Sequence, residues 1–311
     1  MSRITRRINK NLLFILDRLY KKTRTSFAIR QKLSYDDFFV YLPPDHLLPD
    51  FQKGCKKYDR FLPVLARHLA NDATVIDVGA NCGDTLGAMI NSNSAVHYVC
   101  IEPDDAFFKY LELNISLIKK ARPNASILPI KALVGHKVQS ACLEGVGGTK
   151  HAVCYTTTES SLCSQSLDEI VSNLDLSKIQ LLKSDTDGFD FDVIDSAADL
   201  IRSHKPMLFF ECEYRNESQK HGYESTIARL ESAGYQDWTV FDNFGEIILR
   251  TNDISILTQL VNYIWAQNTQ KTVRTIYYYD ILATPPTTQI LLIMFCLIII
   301  QLTFLRHKES K

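Results

Sequence analysis

Residues 74–85 read Thr74-Val-Ile-Asp77-Val-Gly79-Ala-Asn81-Cys-Gly83-Asp84-Thr85. An apolar, β-branched run ends in an acid, turns on glycine and opens a helix. Glycine admits positive φ and lets a ligand come close to the backbone. The first turn of the helix beyond it carries N–H groups with no partner inside the helix, and Asp84 or Thr85 is placed to cap it. The chain has only twelve glycines, yet Gly79, Gly83 and Gly87 fall within nine residues. Twenty-three residues after Gly79, a second apolar run, Val99-Cys-Ile-Glu102, also ends in an acid. A carboxylate at that spacing is set to accept hydrogen bonds from ribose hydroxyls, so the glycine turn and Glu102 together read as a nucleoside site.

The turn selects the nucleoside. Dinucleotide enzymes use G-x-G-x-x-G, whose middle glycine makes room for pyrophosphate. Gly79-Ala-Asn-Cys-Gly83 lacks that glycine, and Asp77 just before the turn would repel pyrophosphate. The same carboxylate suits a cationic ligand with an amino group and a sulfonium, which S-adenosylmethionine combines with an adenosine. A NAD-dependent or nucleotide-sugar oxidoreductase is the alternative that the missing glycine argues against.

The surrounding chain alternates short β-rich runs with helical patterns. Thr74–Val78, His97–Ile101, Ser126–Ile130, Ile179–Lys183, Met207–Glu211 and Trp238–Phe241 are predicted strands; 84–90, 105–118, 190–198 and 224–233 are predicted helices. This alternation argues for an α/β fold with a mostly parallel sheet and helices on both faces. A hydrophobic content of 46% with 23% charged residues is that of a globular protein and excludes disordered or collagen-like classes for the bulk of the chain. The 35 basic and 35 acidic residues cancel, giving no reason to expect nucleic acid as a partner. None of the eight cysteines forms a CxxC pair, and several sit in apolar runs, so they read as reduced thiols on the cytosolic side of a membrane.

Taken together, the motifs resemble the FkbM family of class I S-adenosylmethionine-dependent methyltransferases. Asp77-Val-Gly-Ala-Asn-Cys-Gly83-Asp-Thr85 is similar to its first motif, and Ser166-Leu-Asp168-Glu-Ile170 to its Leu-Asp element. Leu182-Lys183-Ser184-Asp185-Thr186-Asp187-Gly188-Phe189-Asp190 resembles its K-x-D-x-E-G-x-E signature, with Asp at 187 and 190 in place of Glu. Pro206–Glu211 and Tyr278–Ala283 are similar to two later elements, so the likeness runs over residues 70–283 in matching order. The resemblance implies a Rossmann-like sheet of seven strands. It implies that Asp77, Gly79, Asn81 and Gly83 line the methionine part of the cofactor, that Glu102 holds the ribose, and that Ala132 lies near adenine. Asp185 and Asp187 would face the transferred methyl and the acceptor, with either aspartate as base and Lys183 beside them tuning the local charge of the catalytic group. His136, His151, His204 and His221 are alternative bases. The acceptor implied is a hydroxyl on a sugar, glycan or lipid-linked molecule.

Asp185-Thr-Asp187-Gly188 superficially resembles the start of a calcium loop, but that loop needs glycine at its sixth position and an acid at its twelfth. A divalent metal assisting the acceptor and a helix-capping role for Asp187 or Asp190 stay open, and no metal ligand set is assigned. Glu211 is expected at the pocket rim, and the run Gly145-Val-Gly147-Gly148 as a loop or exposed hairpin near it. Asn114, Asn124 and Asn216 each begin an N-x-S triplet.

The basic N-terminal segment reads first as a solvated helix docking on the domain and second as one adhering to anionic lipid; the apolar C-terminal stretch reads as membrane-inserted, with a buried core helix as the alternative. Residues 1–25 carry eight Lys/Arg against Asp17 alone, with Ile4, Ile8, Leu12, Ile15 and Leu19 at helical spacing. Residues 1–55 are therefore predicted to be a basic amphipathic extension, and 56–283 the methyltransferase domain. After Pro285-Pro286, the stretch 287–305 is uncharged and long enough, at about 28 Å as a helix, to approach the roughly 30 Å of a bilayer core. It is predicted to be a single-pass tail helix that anchors a cytosolic catalytic domain. A non-catalytic membrane adaptor on the same fold is the other class consistent with these features.

Overall fold

The run Thr74–Val78 is buried along its whole length, on both faces, which places it inside a sheet rather than at an edge. The computed structural model describes residues 21–136, 141–145, 151–154, 163–176, 178–272 and 275–286. In chain order its elements are β1 (Gln31–Ser34), β2 (Phe39–Leu42), α1 (Leu48–Gly54), α2 (Phe61–Ala66), β3 (Thr74–Val78), α3 (Asp84–Ser92), β4 (His97–Ile101), α4 (Asp105–Ala121) and β5 (Ile127–Ile130). Then follow β6 (Leu133–Val134), β7 (Ala141–Glu144), β8 (His151–Cys154), β9 (Ser164–Gln165), α5 (Leu167–Ser172), β10 (Ile179–Ser184), α6 (Asp190–Asp195), α7 (Ala198–His204) and β11 (Met207–Cys212). The last are α8 (Glu217–Ser232), β12 (Asp237–Asp242), β13 (Ile247–Thr251), α9 (Ile254–Gln270) and β14 (Tyr279–Thr284).

The central sheet has the order β13-β12-β14-β11-β10-β3-β4-β5. Pairs β11–β10, β10–β3, β3–β4 and β4–β5 are parallel; β14 inserts antiparallel between β11 and β12, and β13 pairs antiparallel with β12. The sheet therefore has eight strands, one more than expected, because the residues after β12 turn back as an edge strand. The chain runs outward from β3 to β5, then returns to build β10 and β11 on the other side. The switch point lies between β3 and β10, where an open sheet of this kind leaves a crevice beyond its strand ends.

Strand alternation divides the core in two. Ile76, Val78, Val99, Ile101, Leu182, Leu208 and Phe210 pack on one face with residues of α6, α7, α8 and α9. Val75, Tyr98, Cys100, Leu181 and Met207 pack on the other with Leu86, Met89, Leu111, Ile115 and Ile118 of α3 and α4. Helix α4 shows why such segments form: the Asp104 side chain accepts from the N–H groups of Ala106 and Phe107, Asp105 sits in the first turn, and Lys119 and Lys120 in the last, each favoured by the helix dipole. The predicted helix 190–198 is instead two. Asp168, from the Leu-Asp element, accepts from Asp199 N and Leu200 N at 2.8 and 2.9 Å and starts α7 afresh.

The expected extension over 1–55 is shorter than its boundary. Val40 and Leu42 are fully buried in the domain core, and Asn114 of α4 bonds both backbone groups of Tyr41 at 2.8 Å. The β1–β2 hairpin is thus part of the folded unit, and Asn114, fully buried, belongs to the interior. Residues 1–20 and the predicted tail helix 287–305 lie outside the described residues; among the described residues no helix is long and apolar enough to cross a membrane. Strands β7 and β8 flank the glycine-rich run 145–148 as an antiparallel pair. Cys55, Cys82, Cys100, Cys163 and Cys212 are free thiols.

Candidate functional site

The turn after β3 is left-handed at three places: Gly79 (φ 75°), Asn81 (φ 49°) and Gly83 (φ 79°). Gly79 N and Ala80 N both donate to Ile101 O at 3.0 Å, tying the turn to the end of β4. A Cβ on Gly79 would lie 1.9 Å from the backbone oxygen of Asp185. The close approach that demands glycine is therefore made by the loop after β10. Gly83 itself is the N-cap of α3, with no side chain bonding the first turn, so neither Asp84 nor Thr85 caps it. Gly87 serves packing, since a Cβ there would meet the Tyr35 ring of the N-terminal hairpin at 2.9 Å.

Glu102, one residue past β4, is buried, with Oε2 accepting from Asn81 N and Oε1 from Asp104 N, each at 2.8 Å. Burial pushes its carboxyl up from 4.5 to about 7, although these two N–H groups pull the other way. A carboxylate has about four lone-pair sites, so two remain for a vicinal diol. Ala132 follows β5 and is half-buried against the same core, at the end of the strand beside Glu102.

Asp77 meets a cation of the chain itself. The parallel register puts Lys183 of β10 opposite Asp77 of β3, and Lys183 Nζ lies 2.9 Å from Asp77 Oδ1. Asp77 is fully buried and Lys183 is 2% exposed. Burial raises the Asp77 carboxyl while the ammonium opposes it. Burial works to lower Lys183, but Asp77 and then Asp185 hold it above its ordinary value. The ammonium also donates to Gly79 O at 3.1 Å and reaches Asp185 Oδ2 at 3.5 Å. Lys183 thus fixes the glycine turn and Asp185 relative to each other, and its burial keeps it from an acceptor. Asp185, whose side chain is 54% exposed, is the member of this trio open to solvent.

The rest of the acidic signature is divided between two tasks. Asp190 is fully buried; its carboxylate accepts from Ser184 Oγ at 2.6 Å, Thr186 N at 3.2 Å and Tyr223 OH at 3.3 Å. Burial still raises its pKa. It closes the loop 184–190 and does not reach the crevice. Asp187, left-handed at φ 53°, turns instead toward β11, where its carboxylate lies with those of Glu211 and Glu213 within 4.8 Å of one another. Glu211 is 7% exposed, buried rather than at a rim. Glu213 has no role in the sequence reading; acids at alternate positions of an extended chain share a face, which is the signal that joins it to Glu211. Of the histidines named as bases, His136 and His221 are exposed and engaged with Asp192 and Glu224 at 2.9 and 3.1 Å.

The domain model described as "Methyltransferase FkbM domain" matches residues 77–236, just over half of the chain. No curated protein matches the chain significantly. Among solved structures, the methyltransferase FkbM of Methylobacillus flagellatus KT is 16% identical, with 53% of this chain and 48% of that one covered and a TM-score of 0.35. This chain thus spans about half of that protein. An O-methyltransferase from Bacillus cereus, in complex with SAH, is 12% identical over 73% of this chain and 80% of that one, TM-score 0.42. The fibrillarin of Aeropyrum pernix, with natively bound S-adenosyl-L-methionine, is 11% identical over 82% of each chain, TM-score 0.41.

Proposed function

The chain belongs to the FkbM methyltransferase domain family, and from that premise we propose that it moves a methyl group from S-adenosylmethionine to a hydroxyl on a sugar, glycan or lipid-linked acceptor. The observation that carries the reading is Glu102: a buried carboxylate with lone pairs to spare, bonded to the backbone of the glycine turn at Asn81. When bound, S-adenosylmethionine supplies a methyl already activated by its sulfonium. What remains for the protein is position and approach. Glu102 holds the ribose hydroxyls. The backbone from Gly79 to Gly83 lines the methionine part, with Ala132 near the adenine. Lys183, by bridging Asp77, Gly79 O and Asp185, sets the distance between the turn and the acceptor side. Asp185 receives the proton that the acceptor hydroxyl gives up as its new C–O bond forms.

The segment 287–305 is proposed to hold this domain on the cytosolic side of a membrane, near lipid-linked acceptors. A variant ending at Pro286 that still fractionated with membranes would remove that part. The reaction itself is tested by incubating the full chain with methyl-labelled donor and separated glycan, lipid and small-molecule fractions. Label is expected as an alkali-stable methyl ether in a glycan or lipid fraction. Calorimetry with S-adenosylhomocysteine is expected to give heat that Glu102→Gln reduces at least tenfold in affinity. Well-folded protein giving no heat with that ligand refutes the reading.

A further inference from the structure

Strand β11 ends in Glu211-Cys212 and Glu213 follows it directly; Cys212 packs into the core, and the alternation of an extended chain sends Glu211 and Glu213 to the opposite side. Asp187 approaches from the loop that follows the neighbouring parallel strand β10. The geometry points to Asp187, Glu211 and Glu213 as a binding site for one hard divalent cation, such as Mg2+ or Mn2+, that nothing in the methyl-transfer reading requires.

Two separate observations carry this. The first is the convergence of three carboxylates: one oxygen of each lies within 4.8 Å of the others. Two ligands on a single ion, each at about 2.1–2.5 Å, can be separated by up to about 4–5 Å, so the three oxygens are spaced as ligands of one ion. The second is an orphan. Glu211 is 7% exposed, and its Oε2 is buried with no hydrogen-bond donor. Buried carboxylates are normally paired, hydrogen-bonded or bound to metal. The nearest help is Arg215, whose Nε bonds Glu213 Oε1 at 3.2 Å on the outer side of the cluster. Among the described residues no ion pair reaches Asp187 or Glu211. Three formal negative charges therefore face one another with a single cation at their margin. The donor set is all carboxylate oxygen, which selects hard ions over zinc or copper.

The test uses the full chain stripped with a chelator and titrated with Mn2+, with free Mn2+ read by electron paramagnetic resonance. One bound Mn2+ per chain is expected, displaced by Mg2+. Glu211→Gln and Glu213→Gln should each weaken it at least tenfold, while Glu112→Gln, an exposed acid on α4, leaves it unchanged. Mn2+ should raise the melting temperature of the stripped wild type and not that of Glu211→Gln. If Glu211→Gln fails to fold, Glu213→Gln and Asp187→Asn decide the matter by the same readout. No binding at millimolar Mn2+, as when the carboxylates simply share protons, overturns the proposal. So does binding that survives both Glu213→Gln and Asp187→Asn. S-adenosylhomocysteine calorimetry on the same stripped sample separates the two readings: heat without Mn2+ binding overturns the ion alone, and Mn2+ binding without heat supports the ion and removes the methyl-donor reading.

Discussion

Replacing Lys183 by Met tests the buried pair on which the glycine turn rests. Asp77 is fully buried, and Lys183 is the cation 2.9 Å from it. Without the ammonium, Asp77 must take up a proton to stay folded. At 1.36 kcal/mol per pH unit, holding a carboxyl of ordinary pKa 3.8 neutral costs about 6 kcal/mol at pH 8 and about 2 kcal/mol at pH 5. The pH 8 figure is an upper limit, and losses on breaking buried pairs run at about 3–5 kcal/mol. Because the variant's folded Asp77 binds its proton more tightly than the unfolded chain does, its deficit grows as pH rises. Adding Asp77→Asn removes the charge that needed a partner, so the double variant should regain about 2–4 kcal/mol at pH 8. Asp77→Asn alone should cost less than Lys183→Met, because Lys183 keeps Asp185 and Gly79 O. Urea unfolding of the four proteins at pH 5 and pH 8 measures all of this. A Lys183→Met variant within about 1 kcal/mol of wild type at pH 8, or a double variant no more stable than it, refutes the argument.

Two other outcomes follow from the same site. With no ligand bound, the Glu102 carboxyl is pushed up from 4.5 to about 7, so its contribution to stability is complete below about 4.5 and is lost as pH rises through 7. That loss amounts to at most ~3 kcal/mol, and Asp190 acts in the same direction. Calorimetric melting temperatures should therefore fall between pH 5 and pH 7 and level off above; a rise across that window contradicts the burial of Glu102. At the glycine turn, Gly79→Ala drives a Cβ into a backbone oxygen at 1.9 Å, whereas Gly83→Ala meets the end of the Leu111 side chain at 2.8 Å. The φ penalty of roughly 1 kcal/mol applies to both, so Gly79→Ala should be the more destabilising by denaturant midpoint, and the reverse order would show that the β10 loop does not press on the turn.

What could be read from the chain alone is what lies within a short window. The apolar run before Gly79, the acid ending β4 and the alternation of strands and helices are local patterns, and each of the six predicted strands forms within a residue of its expected ends. Glu102 was legible for the same reason, since the spacing of a strand–turn–helix–strand unit nearly fixes where the second strand stops. The membrane expectations for the two tails rest on hydropathy and charge alone.

The roles of the charged residues were decided elsewhere. Asp77 looked like a carboxylate awaiting a cationic ligand until the parallel register placed Lys183, over a hundred residues later, opposite it. Asp168 and Asp190 read as family signature and turned out to start α7 and to close the loop after β10. The N-terminal hairpin joins the core through the buried Val40 and Leu42 and through Asn114, which bonds both backbone groups of Tyr41. Local sequence sets which segments become strands and where they turn, because backbone propensity and hydrophobic period act over a few residues. Which acid keeps its charge free depends on what the neighbouring strand brings to it, and only the assembled sheet determines that.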